Sequence, residues 1–310
     1  MIEVLKTGSS GKALATLAIG SKYLDRWQKH VKSDWILYCE RNGLGLYVED
    51  VDLDESVVKK KPQWQKLLIG KTLQESSFEV TDVCYLDSDI LVNPYAPNIF
   101  ESCHTGRINM VSQLNNLPYP LHEVLRRMAY LRNQFFDEKY PLDSSLFMDK
   151  EQSYGFQDLP TQADISSAGL FVFDVSDFGD WMAQVFYKYD HNVYSLSDGG
   201  DQMHINYEFQ NTGLVNWIDY RFEAQWTFEM AWKYPFLYRE LDVQSIEVST
   251  AVESSLFANY FLHFAGSWFE SDCILNNNIL KNESTRRLFE SFANYRKQSV
   301  SGNSTGRVFP

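Results

Sequence analysis

Two carboxylates stand one residue apart at the end of a short apolar run. Asp87 and Asp89 follow the apolar residues 83–86, and residues 90–92 (Ile-Leu-Val) resume the apolar character at once. Ionised carboxylates are costly in an apolar segment unless a partner neutralises them. Mg²⁺ and Mn²⁺ suit this role, because these cations take oxygen ligands and often join protein carboxylates to substrate phosphates. The alternative is a strand end whose aspartates face water, and a D-x-D pattern alone leaves both interpretations open.

Short apolar runs alternate with amphipathic segments along most of the chain. The predicted strands are residues 13–19, 35–39, 83–86 and 167–174. The predicted helices are residues 21–31, 64–68, 177–190 and 201–209. This alternation is typical of an α/β fold with a largely parallel sheet. Ligands bind such sheets at the carboxyl ends of the strands, where Gly20 and Asp87 are both expected, and this favours the metal interpretation.

The alternation is interrupted by an insertion at residues 115–160. Apolar residues recur there at three- and four-residue intervals between Leu121 and Phe135, which predicts one amphipathic helix followed by an aromatic-bearing loop. We expect this insertion to be a lid over a site or a packing element. The predicted organisation is one domain over residues 1–275, then a C-terminal helix and a flexible tail over residues 276–310.

The composition excludes several classes of partner. A net charge of −13 argues against a nucleic-acid backbone and means that an anionic ligand would need a cation or a local basic group. No apolar run is long enough to predict a membrane span. The first residues lack the pattern of a signal peptide, so a cytoplasmic protein is expected. The 4 cysteines have no C-x-x-C spacing, which favours reduced thiols over zinc or disulfides.

Four patterns, one of which contains the two aspartates, occur in a fixed order over most of the chain. They are T-L-A-I-G-S-K-Y at 16–23, Y-L-D-S-D-I-L-V at 85–92, S-A-G-L-F-V-F-D at 167–174, and D-Q at 201–202 paired with H-F-A-G-S-W at 263–268. Together they resemble a GT-A-type glycosyltransferase, most closely the family-8-like group that contains glycogenin and the lipopolysaccharide galactosyltransferases. Order and spacing make the set more specific than any one segment. The resemblance implies a single GT-A domain, a Rossmann-like nucleotide-diphospho-sugar transferase fold.

The resemblance also implies a reaction and a metal site. The chain would be a hexosyltransferase that moves a sugar from a nucleotide-sugar donor, expected to be UDP-linked, with retention of configuration. Asp87, Asp89 and His263 would hold Mn²⁺ or Mg²⁺, which would neutralise the leaving diphosphate as a Lewis acid. Without the resemblance, a single histidine between Phe261 and Phe264 is more typical of a hydrogen-bonded core residue.

The donor-binding and catalytic residues follow from the same resemblance. Asp201 and Gln202 would lie beneath the anomeric carbon, with a helix cap as the alternative role of Asp201. Tyr23 would stack on the base, or would instead pack the first helix. Lys66 would bind the sugar or the diphosphate, or would be a solvated helix lysine. The remaining expected donor contacts are Thr16, Ala18, Gly20, Asp87, Ser88, Ser167, Ala168, Gly169 and Gly266.

The chain departs from the family pattern in ways that indicate a divergent relative. Ser167 replaces an asparagine that would contact the sugar. The lysine expected close to Trp268 is absent, so another cation would have to bind the diphosphate. The candidates for this replacement are Lys281, Arg286 and Arg287.

Two other functions stay open at this point. The departures fit a non-catalytic protein that binds a carbohydrate or a nucleotide sugar on a transferase-like fold. A D-x-D phosphatase with a nucleophilic aspartate and Mg²⁺ is a further alternative, although in that class the motif normally lies on the first strand. For the transferase, the acceptor could be a carbohydrate, a lipid-linked sugar or a protein. It is expected to meet the 115–160 insertion and the aromatic segment 217–238.

Overall fold

A computed structural model gives the architecture of the chain. It describes residues 1–56, 59–136, 147–189, 200–239, 242–266, 269–276 and 282–302, the last helix without side chains beyond 296. The strands are β1 Ile2–Leu5, β2 Lys12–Leu17, β3 Gly45–Glu49, β4 Asp82–Leu86, β5 Ile90–Val92, β6 Ile108–Val111, β7 Leu170–Asp174, β8 Val215–Ile218, β9 Ala224–Gln225 and β10 Phe261–His263.

The helices lie between these strands and after them. The α-helices are α1 Ser21–His30, α2 Lys32–Asn42, α3 Ile69–Glu75, α4 Leu121–Phe135, α5 Lys150–Phe156, α6 Val175–Lys188, α7 Gln202–Asn211, α8 Trp226–Lys233, α9 Ile246–Ala258, α10 Phe269–Asp272 and α11 Glu283–Gly302. Short 3₁₀ helices are Pro62–Leu68, Ile99–Ser102, Tyr220–Glu223, Pro235–Tyr238 and Cys273–Asn276.

The central sheet of the described residues has seven strands in the order β1-β3-β2-β4-β7-β6-β8. The pairs β2–β3, β2–β4 and β6–β8 are parallel, whereas β1 and β7 run antiparallel to their neighbours. Five strands therefore share one direction, and the predicted α/β fold with a mostly parallel sheet is confirmed. The reversal at β7 brings the start of that strand to the carboxyl end of β4.

Burial on both faces explains why the central strands read as nearly continuous apolar runs. Every residue of β3 is buried, and five of the six residues of β2 are buried. Helices packed on both faces exclude water from such strands. In α6, Phe178, Met182 and Phe186 recur every four residues and are buried, so this helix covers one face of the sheet.

The strand predicted at residues 35–39 is wrong, because this segment lies in helix α2. Trp35, Tyr38 and Cys39 are its completely buried apolar residues, and their spacing of three and four is the helical period. A five-residue apolar run fits a strand or a helix equally well. In this segment the helical spacing of the buried residues matches the helix that the structure shows. The second strand of the parallel set is β3, which begins six residues later.

A second sheet of three strands, β5-β10-β9, joins distant parts of the chain. Strand β5 begins directly after the two aspartates and pairs with β10, with Ile90 opposite His263. On its other side β10 pairs with β9, with His263 beside Gln225. The small sheet therefore fixes where His263 lies relative to the aspartates.

The predicted amphipathic helix of the insertion is confirmed as α4. The loop predicted after it contains helix α5, which begins with a capping box between Asp149 and Gln152. Residues 137–146 of the insertion and the predicted tail beyond residue 302 lie outside the described residues. Among the described helices, none is both long and apolar enough to cross a bilayer.

Candidate active site

The two aspartates lie in the turn between β4 and β5. The backbone N–H of Asp87 donates to the carbonyl of Gly169 (2.8 Å), which ties the end of β4 to the start of β7. The Tyr85 hydroxyl donates to Asp87 Oδ1 (2.7 Å), and the backbone N–H of Ile90 closes the turn on the Asp87 carbonyl (3.2 Å). The Asp87 and Asp89 side chains are 27% and 31% exposed, so both can meet a ligand.

His263 completes a cluster of three potential metal ligands. Its Nε2 lies 3.4 Å from Asp89 Oδ1 and 4.0 Å from Asp87 Oδ2. One ligand atom from each of the three residues lies within 4.8 Å of the others. The structure therefore brings together the three residues that the sequence places as ligands, although 174 positions separate Asp89 from His263.

The charges of this cluster suit a divalent cation. Asp89 Oδ1 is buried and accepts no hydrogen bond within the described part of the chain. Burial raises the pKa of Asp89, but the charge of His263 outweighs it and holds that pKa below its usual value. Burial lowers the pKa of His263, but Asp89 and Glu223 raise it to about 10. A positive charge is thus stabilised where the two carboxylates meet the imidazole.

Glu223 is a site residue that the sequence reasoning missed. Its carboxylate is completely buried, lies 3.1 Å from His263 Nδ1 and accepts a hydrogen bond from the Ser167 hydroxyl. A partner at Nδ1 sets the tautomer and orientation of an imidazole, and so directs Nε2 toward the aspartates. The one signal in the sequence was a glutamate between Phe222 and Ala224, where a buried carboxylate is costly without a partner.

Lys66 joins the metal-ligand cluster to the predicted catalytic pair. Its Nζ lies 3.2 Å from Asp87 Oδ1 and 3.1 Å from Asp201 Oδ2, and it donates to the Ala168 carbonyl (2.9 Å). The side chain is 2% exposed, so the solvated-lysine alternative is wrong. Burial lowers the pKa of Lys66, but Asp201 and Asp87 raise it above its usual value, so the ammonium stays charged.

Asp201 and Gln202 lie at the start of α7. Asp201 occupies the N-cap position of that helix, as the alternative predicts, but its side chain makes no capping hydrogen bond and pairs with Lys66 instead. Burial raises the pKa of its carboxyl group, and Lys66 partly offsets this effect. The Gln202 amide donates to the Ser166 carbonyl (2.9 Å), and the Asn206 amide donates to the same oxygen (2.8 Å). These bonds fix the turn at residues 166–169 against α7.

The backbone conformation of the turn at residues 166–169 positions two groups of the site, the Ala168 carbonyl and the imidazole of His263. Ala168 has a φ of +58°, a left-handed conformation that non-glycine residues adopt rarely, and it presents its carbonyl to Lys66. Gly169 lies against the imidazole of His263. A Cβ at position 169 would be 2.3 Å from His263 Cε1, so only glycine lets the backbone approach this closely.

The predicted base-binding segment covers the end of β2 and the turn that follows it. Thr16 is completely buried, and the Ala18 N–H donates to the Glu49 carbonyl (2.8 Å). Gly20 has a φ of +88° and precedes helix α1, which leaves Tyr23 54% exposed. That exposure does not fit the alternative in which Tyr23 packs the helix, and it leaves the ring free to stack. Ser88 is partly exposed, and Gly266 is exposed.

The described candidates for the missing lysine lie on α11. Arg287 pairs with Glu283 of the same helix at 2.5 Å, and its side chain is 73% exposed. Arg286 is also exposed. Lys281 and Trp268 lie outside the described residues. These contacts assign neither arginine of α11 to the cluster.

Comparisons with known proteins give similarity in structure alone. No family model and no curated protein sequence matches the chain. A glycosyltransferase involved in the glycosylation of the major capsid of PBCV-1 is 12% identical, with a TM-score of 0.48 over 84% of this chain and 97% of that one. The bifunctional glycosyltransferase WbbM is 13% identical, with a TM-score of 0.42 over 94% of this chain and 52% of that one. Both are glycosyltransferases, the class that the four sequence segments resemble.

Proposed function

We propose that the protein is a metal-dependent glycosyltransferase that uses a nucleotide-sugar donor, with a UDP-sugar as the expected donor and Mn²⁺ or Mg²⁺ as the cation. The observation that carries this proposal is the convergence of Asp87, Asp89 and His263 at the carboxyl end of β4. A divalent cation held by these three residues would neutralise the diphosphate as it leaves the sugar. The buried Glu223 supports the proposal, because a carboxylate behind a histidine is the usual second partner of a metal-binding imidazole.

Lys66 would fix the position of the metal ligands relative to Asp201 and Gln202. It is buried between Asp87, on the diphosphate side, and Asp201, on the sugar side. A lysine with three oxygen partners is fixed in position, so the distance between the cation and the catalytic pair would be set before the donor binds. In this proposal the anomeric carbon would lie between the metal ligands and the start of α7.

We further propose that the sugar is transferred with retention of configuration. An inverting enzyme needs a carboxylate that is free to take the proton of the acceptor hydroxyl. The Asp201 side chain is only 11% exposed and is paired with Lys66, which does not suit a general base. Asp201 and Gln202 would instead orient the sugar and stabilise positive charge at the anomeric carbon.

The acceptor is proposed to bind beside α4 and the segment 217–238. Part of that segment forms the core, because Trp226 is completely buried. Phe236 is 60% exposed, and the Arg127 guanidinium lies 4.6 Å from the ring of the half-buried Trp232. Exposed aromatic faces and cations of this kind suit a carbohydrate or a lipid-linked sugar.

A thermal-shift experiment tests the proposed function. Mn²⁺ with UDP, or with a UDP-sugar, should raise the melting temperature of the wild type, because a ligand that binds only the folded state stabilises it. Asp89→Asn should abolish the Mn²⁺-dependent part of the rise. Asp180→Asn, an exposed aspartate of α6, is the control and should keep it. The metal site is wrong if Mn²⁺ leaves UDP binding unchanged, and equally if Asp89→Asn responds like the wild type.

Hydrolysis of the donor separates the enzyme from its alternatives. A transferase should slowly release sugar from its nucleotide sugar in the presence of Mn²⁺, whereas a binding protein should not. Release of inorganic phosphate from p-nitrophenyl phosphate would favour the phosphatase instead. The anomer first formed, followed by NMR before mutarotation, distinguishes retention from inversion.

A further inference from the structure

The candidate site has carboxylates in excess and few cations free to meet an anion. Four carboxylates, Asp87, Asp89, Asp201 and Glu223, surround it, and Lys66 is already shared between two of them. A bound divalent cation would offset only part of this charge. A diphosphate would still meet repulsion from the remaining carboxylates unless another cation lies on its side of the site.

Arg26 is held against helix α10. It lies in α1, and its Nη2 donates to the carbonyl of Ser271 in α10 (2.7 Å). The Ser271 hydroxyl in turn donates to the Gly266 carbonyl (2.9 Å) and the Ala265 carbonyl (3.2 Å). Ser271 therefore connects Arg26 to the two residues that lie two and three positions after His263.

The Arg26 guanidinium is not saturated by its partners in the described part of the chain. Its side chain is 26% exposed, and its buried Nε has no hydrogen-bond partner there. Asp272 is 3.9 Å from Nη1, which is too long for a hydrogen bond. A guanidinium has five N–H donors in a planar fork that matches phosphate oxygens, so the terminal nitrogens of Arg26 can donate to an anion.

The segment that Ser271 contacts begins at the metal-ligand cluster. The backbone N–H of Phe264 donates to the Asp89 carbonyl (3.1 Å), so the chain that leaves His263 stays beside the aspartates. Ala265 and Gly266 follow directly, and their carbonyls accept from the Ser271 hydroxyl. A short series of hydrogen bonds therefore connects Arg26 to the cluster.

We propose that Arg26 is the diphosphate-binding cation of this site and replaces the lysine that is absent after Gly266. This inference rests on the proposed function and names the residue of this chain that would bind the donor's phosphates. The guanidinium would donate to non-bridging oxygens of the diphosphate while the metal ligands hold the cation on its other side. Lysine and arginine differ here, because arginine can hold Ser271 and a phosphate oxygen at the same time.

Inorganic pyrophosphate tests this proposal without requiring the base or the sugar. Calorimetry would measure the affinity for pyrophosphate at saturating Mn²⁺, and separately the affinity for Mn²⁺ alone, in the full-length protein. Arg26→Ala should weaken pyrophosphate binding by about ten- to a hundredfold, the range of a lost hydrogen bond to a charged group. It should leave Mn²⁺ affinity unchanged or higher, since a nearby positive charge has been removed. Lys29→Ala, an exposed lysine of the same helix, is the matched control and should keep both affinities.

The two readouts separate the possible failures. If the wild type binds no pyrophosphate with Mn²⁺, the proposed function itself fails, and the inference fails with it. If the wild type and Arg26→Ala bind pyrophosphate equally, Arg26 is not the diphosphate-binding cation and the proposed function stands. If Arg26→Ala weakens the affinity for Mn²⁺ as much as the affinity for pyrophosphate, Arg26 has a structural role and the proposal is overturned. If the alanine variant misfolds, Arg26→Lys is the second variant, because it retains the positive charge. It should weaken pyrophosphate binding severalfold and retain the affinity for Mn²⁺. An unchanged affinity of Arg26→Lys for pyrophosphate contradicts the proposal.

Discussion

Glu223 determines which nitrogen of His263 faces the two aspartates. Its carboxylate lies 3.1 Å from Nδ1, so a proton on Nδ1 is stabilised and the lone pair of Nε2 is left for a metal ion. The Ser167 hydroxyl donates to the same carboxylate oxygen and helps to hold it in place. Where the family pattern has an asparagine that contacts the sugar, this chain therefore has a serine that supports the carboxylate partner of His263.

Glu223→Gln should weaken Mn²⁺ binding by about ten- to a hundredfold, the usual effect of losing the partner of a metal-binding histidine. A glutamine can donate its amide N–H to Nδ1, which would place the proton on Nε2 and oppose ligation. Electron paramagnetic resonance of free Mn²⁺ would measure the change. Glu151→Gln, an exposed glutamate of α5, should bind as the wild type does; an unaffected Glu223→Gln would contradict the orienting role.

Single residues of the site could be predicted only where a local pattern marks them. The D-x-D after a strand and the glycine after Ser167-Ala168 are such patterns, and the structure places both at the metal-ligand cluster. Glu223 and Arg26 have no neighbouring motif, and the roles proposed for them rest on contacts with His263 and Ser271 that are distant in sequence. Burial and pairing of these side chains appear only once the chain is folded.

Strands β7 and β10 belong to different sheets and meet at the site. The contact is between the backbone of Gly169, which precedes β7, and the imidazole of His263 at the end of β10. A β-carbon at position 169 would also be 2.9 Å from Glu223 Oε1. The separation of the two sheets is thus set at this point by a residue without a side chain.

Gly169→Ala should push His263 away from the aspartates. We expect a loss of about 1–3 kcal/mol in the free energy of unfolding, as for other overpacked cores, together with a marked loss of Mn²⁺ affinity. Urea denaturation and Mn²⁺ titration would measure the two effects. At Gly155 an added Cβ meets no atom within 4 Å, so Gly155→Ala should change stability by less than about 1 kcal/mol and leave Mn²⁺ binding intact. Normal Mn²⁺ binding by Gly169→Ala would show that this contact does not position His263.

Helices and strands could be predicted where the apolar period extends over many residues or where the whole segment is buried. The fifteen-residue α4 and the buried β4 and β7 were placed correctly from such patterns. Residues 35–39 were misassigned because five apolar residues do not distinguish strand from helix. Strands β6 and β8 have four residues each and gave no signal of their own, since their pairing in the sheet defines them.

At the scale of the whole molecule, one buried histidine links stability to pH. His204 is 4% exposed, lies between the rings of Trp64 and Tyr189, and has an Nδ1 without a hydrogen-bond partner in the described residues. Burial lowers its pKa to about 4, and Glu208 opposes this only in part. Since the unfolded chain takes up this proton near pH 6.5, the folded state loses stability as the pH falls from about 6.5 toward 4.

His204→Phe should remove this part of the acid sensitivity and keep the ring between its aromatic neighbours. The difference in unfolding free energy between pH 7 and pH 4.5 should be smaller than in the wild type by about 1–2 kcal/mol. Urea denaturation at both pH values would measure it. His122→Phe changes an exposed histidine of α4 and should show the wild-type difference; the same result for His204→Phe would contradict the prediction.

The pairing of Ile90 with His263 also has a consequence during synthesis. Asp87 and Asp89 leave the ribosome early, but strand β10 follows only after a further 170 residues or so. At about 5–20 residues per second, this interval is on the order of ten seconds or more. A nascent chain therefore cannot bring Asp87, Asp89 and His263 together until β10 has emerged and paired with β5. In the proposed function, Mn²⁺ would then favour the folded state over every intermediate that lacks this pairing.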